Sequence, residues 1–134
     1  METGMNEQKN CQCGSSPKLI FACSGAADVG EIADKAARVL ARMGAGNLFC
    51  LAGIGAKIGG MIRSAEAASD ILVIDGCFLD RSKKCLVEAG IKEIRHIRIT
   101  DHGFKKGETV VNDRNVQKIV SECLALSSVR QPIS

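Results

Sequence analysis

The sequence predicts one small α/β domain, a three-layer open sheet of about four mainly parallel strands with helices on both faces. Short apolar runs alternate with amphipathic stretches at roughly 25-residue intervals, which is typical of βαβ units. The chain has 134 residues, a length that fits a single domain. Apolar residues make up 46% of it, so a buried core is possible. That core must be mainly aliphatic, because the sequence contains four Phe and no Trp or Tyr.

Four apolar segments are the predicted strands. The first three are nearly continuous apolar runs, which is the pattern of strands buried on both faces of a sheet. The fourth alternates less cleanly. Together they indicate a Rossmann-like arrangement, and their predicted bounds are Lys18–Ala22, Asn47–Ala52, Ile71–Ile74 and Glu93–Ile99.

Amphipathic segments between the strands predict the helices. The clearest begins near Val29 and ends by Met43, where Gly44 and Gly46 stop it. Further helices are predicted over 57–68, 80–89 and 113–126. Residues 1–17 are predicted to form a flexible leader that contains a C-x-C pair, Cys11 and Cys13. Residues 18–134 then form the single α/β domain.

Charge and hydropathy exclude several classes of partner. The formal net charge is +3, and the basic pairs Lys83-Lys84 and Lys105-Lys106 have no interleaved aromatic residues. We interpret them as solvated surface and predict no nucleic-acid partner. The chain opens with polar residues, without a signal peptide, and lacks the roughly 18 consecutive apolar residues of a membrane span. A cytoplasmic location without a membrane partner is therefore expected.

Three of the seven cysteines share one predicted place in the fold. Cys23 follows strand one, Cys50 lies late in strand two, and Cys77 follows strand three. Ligands of open parallel sheets bind beyond the carboxyl ends of the strands, and each thiol lies near a helix start, which favours the thiolate. An odd cysteine count without export signals argues against a disulfide scaffold. The pattern predicts thiolates gathered at one edge of the sheet.

The other candidate residues have plainer interpretations. Cys123 falls on the apolar stripe of the last helix and is predicted to be a core thiol. Cys85 is interpreted as a buried helix residue, and Asp75 as an acceptor of amide hydrogen bonds or a residue that orients a ligand. His102 follows strand four at the functional edge, where it is either a metal ligand or an ordinary loop histidine.

Glycines cluster in the turns that follow the strands. Gly53-Ile54-Gly55 matches neither the dinucleotide-binding pattern nor the Walker pattern, so a nucleotide site is not predicted. Helix starts with free amides can still bind a small anion, which remains a possible partner.

Three motifs in order resemble the DGC-motif family, which is described as zinc-binding because of its cysteines and has no assigned reaction. They are Cys23-Ser-Gly-Ala-Ala-Asp-Val-Gly30, Phe49-Cys-Leu-Ala-Gly-Ile-Gly55 and Ile74-Asp-Gly-Cys77. The resemblance covers about residues 18–107. It implies zinc as cofactor, held by Cys23, Cys50 and Cys77.

The sequence departs from the family pattern at one position. The pattern continues with a further cysteine four residues after Asp-Gly-Cys, where this chain has Arg81. Cys85 lies about 6 Å farther along the helix axis, too far to replace a ligand about 2.3 Å from zinc. The fourth ligand is left open between Cys11, Cys13, His102 and water.

The sequence is compatible with three alternative functions. The first is a zinc-binding protein that holds a thiophilic ion through cysteine thiolates. The second is a reactive-cysteine enzyme for redox or sulfur-transfer chemistry, with Arg81 stabilising the thiolate of Cys23 or Cys77. The third is a small-anion-binding module in which the cysteines are structural.

Overall fold

The computed structural model describes residues 17–126 and 131–132. The helical elements are α1 Asp28–Arg42, α2 Leu51–Gly55, α3 Gly59–Ala67, α4 Arg81–Glu88, a 3-10 turn at Ile99–His102, and α5 Asp113–Ala125. The strands are β1 Lys18–Ala22, β2 Asn47–Leu48, β3 Asp70–Asp75, β4 Glu93–Arg98 and β5 Gln131–Pro132.

The strands form one sheet in the order β2-β1-β3-β4-β5. Neighbours from β2 to β4 are parallel, whereas β5 pairs antiparallel with β4. The predicted open α/β fold is confirmed. In this order β2 and β3 lie on opposite sides of β1. The chain therefore crosses from one side of β1 to the other between these two strands. The carboxyl ends of β1 and β3 therefore flank the topological switch point, where ligands of such sheets bind.

Helices cover both faces of the sheet, as predicted. Along β1 the side chains alternate: Ile20 and Ala22 join the core under α1 and α5, whereas Leu19 and Phe21 join the core under α2, α3 and α4. Phe21 is fully buried and meets Phe49 edge to face, with 5.6 Å between the ring centroids. No helix in the described ranges is long and apolar enough to cross a membrane.

The second predicted strand is wrong in extent. Only Asn47–Leu48 is strand, and Cys50 is the N-cap of α2 rather than a late strand residue. β2 is an edge strand that pairs with β1 alone, so the expectation of a strand buried on both faces fails there too. Leu51 and Ile54, three positions apart, both face the second core from a helix, which a short apolar run cannot distinguish from a strand.

The predicted helix over 57–68 is also shorter than expected. It is α3, Gly59–Ala67, separated from α2 by a turn at Ala56 to Ile58. The remaining predicted strands and helices agree with the observed ones to within two residues.

Glycines let three backbone segments approach closely at the switch point. A Cβ added at Gly76, after β3, would lie 2.9 Å from Gly30 N in the first turn of α1. One added at Gly30 would lie 2.6 Å from Gly25 O in the loop after β1. Real Cβ atoms do not approach backbone this closely, so these contacts require residues without side chains. The loops that carry Cys23 and Cys77 are thereby held together.

Replacing Gly30 by Ala should lower the free energy of unfolding by about 1–3 kcal/mol, because the added methyl group meets backbone that cannot yield. Gly60→Ala is the matched control, since Gly60 also lies in the first turn of a helix and its Cβ would meet only Arg63 Nη2 at 3.8 Å. Urea unfolding should show Gly60→Ala equal to the parent or up to about 1 kcal/mol more stable. Equal stability of both variants would contradict the close approach.

Candidate functional site

Two of the predicted thiols share a small cavity at the switch point. Cys23 follows β1 and is half-buried, while Cys77 follows β3 and is buried. Both line a cavity of about 10 Å³, which we call the switch-point cavity. A volume near this value is about what a single water molecule needs, so the space suits one water or one ion. Its other polar lining side chains are Asp75, Asp80, Arg81 and Lys106.

The third predicted thiol lies on the other side of Cys23. Cys50 is exposed and lines an open groove of about 600 Å³ together with Cys23 and Cys85. The sulfurs of Cys23, Cys50 and Cys77 do not all lie within 4.8 Å of one another, since no such cysteine group occurs among the described residues. The three-thiol metal site stays a prediction. Cys11 and Cys13 lie outside the described residues.

Two cations accompany the buried thiol. Lys106 Nζ donates to Cys77 Sγ at 3.6 Å. Arg81, at the start of α4, folds its guanidinium over Gly25, so that a Cβ on that glycine would lie 2.6 Å from Nη2. Positive charge beside a thiol favours the thiolate, which is the form that binds metal and acts as a nucleophile. The cavity therefore places positive charge next to its cysteines.

Asp28 holds the loop that carries Lys106. Its Oδ1 accepts from the backbone N–H of Val29 and Gly107, both at 2.8 Å, and its Oδ2 accepts from Thr109 N at 2.9 Å. The hydrogen bonds from Gly107 and Thr109 lower the pKa of Asp28 below its usual value. One carboxylate at the start of α1 thus fixes the loop on which Lys106 reaches Cys77.

Asp75, the residue before Gly76-Cys77, caps helix α4. Its Oδ1 accepts from Ser82 N at 2.8 Å, and its Oδ2 accepts from Lys83 N at 3.1 Å and contacts His96 Nε2 at 2.9 Å. The prediction that Asp75 accepts amide hydrogen bonds is confirmed. An anionic side chain at a helix N-terminus also complements the helix dipole. Asp75 therefore fixes where the helix after Cys77 begins.

Asp75, Asp80 and His96 form a compact group whose ligand-type atoms all lie within 4.8 Å of one another. Arg98 donates to Asp80 through Nε at 2.9 Å and Nη2 at 2.6 Å. Burial raises the pKa of Asp80, but the Arg98 hydrogen bonds and the charges of His96 and Arg98 outweigh it, and the pKa is lowered. We interpret this group as a structural brace, because Arg98 already neutralises one carboxylate and His96 is already bonded to the other.

Two further predicted residues lie away from the cavity. His102 Nδ1 lies 3.5 Å from Glu122 Oε1 on α5, and His102 does not line the switch-point cavity. Its role as a ligand stays a prediction. Cys123 is buried in the core between α1 and α5, as predicted, and burial raises its pKa to about 12. Such a thiol remains protonated and takes no part in thiolate chemistry.

Lys106 and Asp28 were not predicted as site residues. Lys106 is 29 positions from Cys77, in a loop without secondary structure, and nothing in its neighbourhood marks it as different from Lys105. Asp28 carried a weak signal, since an acidic residue opens helix α1. Its partners, the amides of Gly107 and Thr109, are supplied by the fold alone.

The fold and the edge site define an α/β domain with cysteine-bearing loops at the carboxyl ends of its strands. The chain belongs to the DGC domain family, whose model matches residues 19–123, so the resemblance inferred from the three motifs is confirmed. It is 34% identical over 88 residues to the anaerobic and virulence modulator AnvM of Pseudomonas aeruginosa, covering 66% of this chain and 67% of that protein. No solved structure matches the chain.

Asp28→Asn should destabilise the protein at neutral pH, because the amide cannot accept the Thr109 hydrogen bond on its nitrogen side. The Asp28 pKa is lowered from 3.8 by folding, so its stabilisation is complete above that value and disappears as pH falls through the lower folded pKa. Urea unfolding at successive pH values gives the free energy of unfolding of parent and variant. The difference between the two should be constant from about pH 5 to 7 and shrink below about pH 4.

Asp113→Asn is the matched control for this experiment. Asp113 also opens a helix, α5, but its side chain accepts no hydrogen bond from the described residues. Its free energy of unfolding should differ from that of the parent by the same amount at every pH. If the difference in free energy of unfolding between the parent and Asp28→Asn stays constant down to pH 2.5, the carboxylate does not hold the loop.

Proposed function

We propose that this DGC-family domain binds one thiophilic metal ion, with zinc the first candidate, at the carboxyl edge of the sheet. Cys23 and Cys77 are the central ligands and Cys50 is the third. One observation carries the proposal: two thiols from neighbouring loops line an ion-sized cavity at the switch point of the sheet. Thiolate sulfur is a preferred ligand of zinc and of other thiophilic ions.

The surroundings of the cavity fit such an ion. Lys106 and Arg81 supply positive charge that would offset the negative charge of metal-bound thiolates. Zinc holds sulfur at about 2.3 Å, so ligating sulfurs must come within about 4 Å of one another. Cys50 therefore has to move toward Cys23. It can do so because it is exposed and caps the five-residue helix α2 rather than lying in a strand.

The fourth position of this site is proposed to be filled by Cys11, Cys13, His102 or water. A zinc ion with three protein ligands and one exchangeable position is typical of catalytic sites, whereas four protein ligands are typical of structural ones. We propose that this chain acts as a metal-binding protein; the related protein is named a modulator.

Protein expressed with ample zinc should retain about one zinc ion per chain, measured by elemental analysis after gel filtration. Cys23→Ser, Cys50→Ser and Cys77→Ser should each lose most of it, since an alcohol is a poor zinc ligand at neutral pH. Circular dichroism should show that the variants remain folded. A metal-free parent protein would refute the proposal.

Cys85→Ser is the matched control, because Cys85 is a half-buried thiol that lines the same groove as Cys23 and Cys50. It should keep its zinc. Loss of zinc from Cys85→Ser but not from Cys50→Ser would replace Cys50 by Cys85 as the third ligand.

A second candidate function is favoured by the contact between Lys106 and Cys77. In a metal-free protein this ammonium group would hold Cys77 as a nucleophilic thiolate. Such a thiolate attacks a disulfide sulfur, forms a mixed disulfide and releases the other sulfur as a thiolate. The cavity carboxylates of Asp75 and Asp80 are already bonded to α4 amides, His96 and Arg98, so the lysine would act by its charge.

If this second function holds, Lys106→Ala should slow alkylation of Cys77 by iodoacetamide at pH 7, by about three- to tenfold as the thiolate fraction falls. Mass spectrometry of the peptide that contains Cys77 gives the rate. Lys105→Ala is the matched control, since Lys105 is exposed one position away and does not contact the sulfur. Equal rates in both variants would remove this candidate and leave metal binding untouched.

A further inference from the structure

We propose that a second groove, between α2 and α4, binds a small molecule that has an apolar body and one carboxylate group. This α2–α4 groove has a volume of about 580 Å³ and is lined by Ile54, Lys57, Ile62, Arg81, Lys84 and Cys85, with Glu88 at one side. None of the proposed thiol ligands lines this groove, whereas Arg81 lines both it and the switch-point cavity.

The base of the α2–α4 groove is apolar. Ile54 is buried in the second core, and Ile62, Cys85 and Ala89 pack against that core from around the groove. Sites for small molecules typically enclose about 300–1,000 Å³ and combine an apolar lining with a few polar groups. The volume and the lining both fall within that description, which indicates a ligand with a substantial apolar part.

The rim of the groove is cationic. Lys57, Arg81 and Lys84 line it, and none of the three forms an ion pair within the part of the chain that the structure describes. Glu88 is the single acidic side chain among the lining residues. Three cations above an apolar surface complement an anion that carries an apolar tail.

Lys57 occupies a position where glycine would be more stable. It follows α2 in a Schellman motif: Lys57 N donates to Ile54 O, and Ile58 N donates to Gly53 O, both at 3.0 Å. Lys57 has φ +63°, in the left-handed region that disfavours residues with a Cβ. A lysine in this conformation loses backbone stability and places a cation beside the groove, which is expected where the side chain serves binding.

Cys85 provides a reporter for occupancy of the groove. It is half-buried and lines both the α2–α4 groove and the neighbouring groove of Cys23 and Cys50. It also lines the groove that holds Cys50, so its labelling is measured on metal-free protein, in which no bound zinc can shield the sulfur. A molecule bound in the α2–α4 groove should shield its sulfur from alkylation.

The test uses octanoate as the anionic probe and octanamide as its uncharged counterpart, on the full chain. Octanoate should bind saturably by isothermal titration calorimetry and slow iodoacetamide labelling of Cys85 by at least threefold. Octanamide should bind at least threefold more weakly. Both measurements are made on metal-free protein prepared with a chelator, so a failure here is separable from a failure of the metal site.

Two variants connect the binding to the cationic rim. Lys84→Ala should weaken octanoate binding by at least threefold, and Lys35→Ala, on the exposed face of α1, should leave it unchanged. Lys57→Gly should weaken binding to a similar extent while raising the melting temperature by about 3 °C, since it relieves the left-handed residue. Loss of affinity in a more stable protein cannot be explained by unfolding.

Three outcomes would overturn the proposal. The first is no saturable octanoate binding together with no protection of Cys85. The second is equal binding of octanoate and octanamide, or binding that is unchanged in both rim variants. The third is a dimer by light scattering that Ile62→Lys dissociates and that octanoate does not affect, which would show that a second copy of the chain covers the groove.

Discussion

The close backbone contact between the loops after β1 and β3 and the first turn of α1 is the constraint on which the site depends. Gly25, Gly30 and Gly76 allow these segments to meet without side chains between them. The backbone of Cys23 also donates to Ile74 O at 3.1 Å, which ties the first loop to the end of β3. Backbone packing at these points places the thiols of Cys23 and Cys77 on one common cavity.

The three residues of the Asp-Gly-Cys motif serve three different purposes. Asp75 caps α4 and also lines the cavity, Gly76 permits the approach of α1, and Cys77 presents a thiol to the cavity. A buried carboxylate at this place is stabilised by two backbone N–H groups and by His96. An acidic residue beside a cysteine is therefore insufficient evidence that the carboxylate itself binds metal.

The sequence alone predicted the sheet, the order of its elements and the shared edge of Cys23 and Cys77, because strand burial and helical spacing are local patterns. It misplaced Cys50, since the run from Asn47 to Ala52 fits a buried strand as well as a strand end and a short helix. It could not reveal Lys106, whose contact with Cys77 depends on a loop held by Asp28 from a distant element. Contacts of this kind are set by tertiary packing, not by local composition.

The cations around the cavity are compatible with both candidate functions of the thiol site, metal binding and thiol reactivity. Zinc with three thiolates carries one net negative charge, which Lys106 and Arg81 would more than neutralise, so the loaded site is stabilised by its surroundings. In a metal-free protein, the same two cations would lie beside Cys23 or Cys77 if either thiol acts as a nucleophile. One electrostatic arrangement would thus suit both proposed functions, metal binding and thiol reactivity. Under the proposed metal-binding function, the balance between the two would depend on how readily exposed Cys50 completes the ligand set, and so on the short helix α2 that it caps.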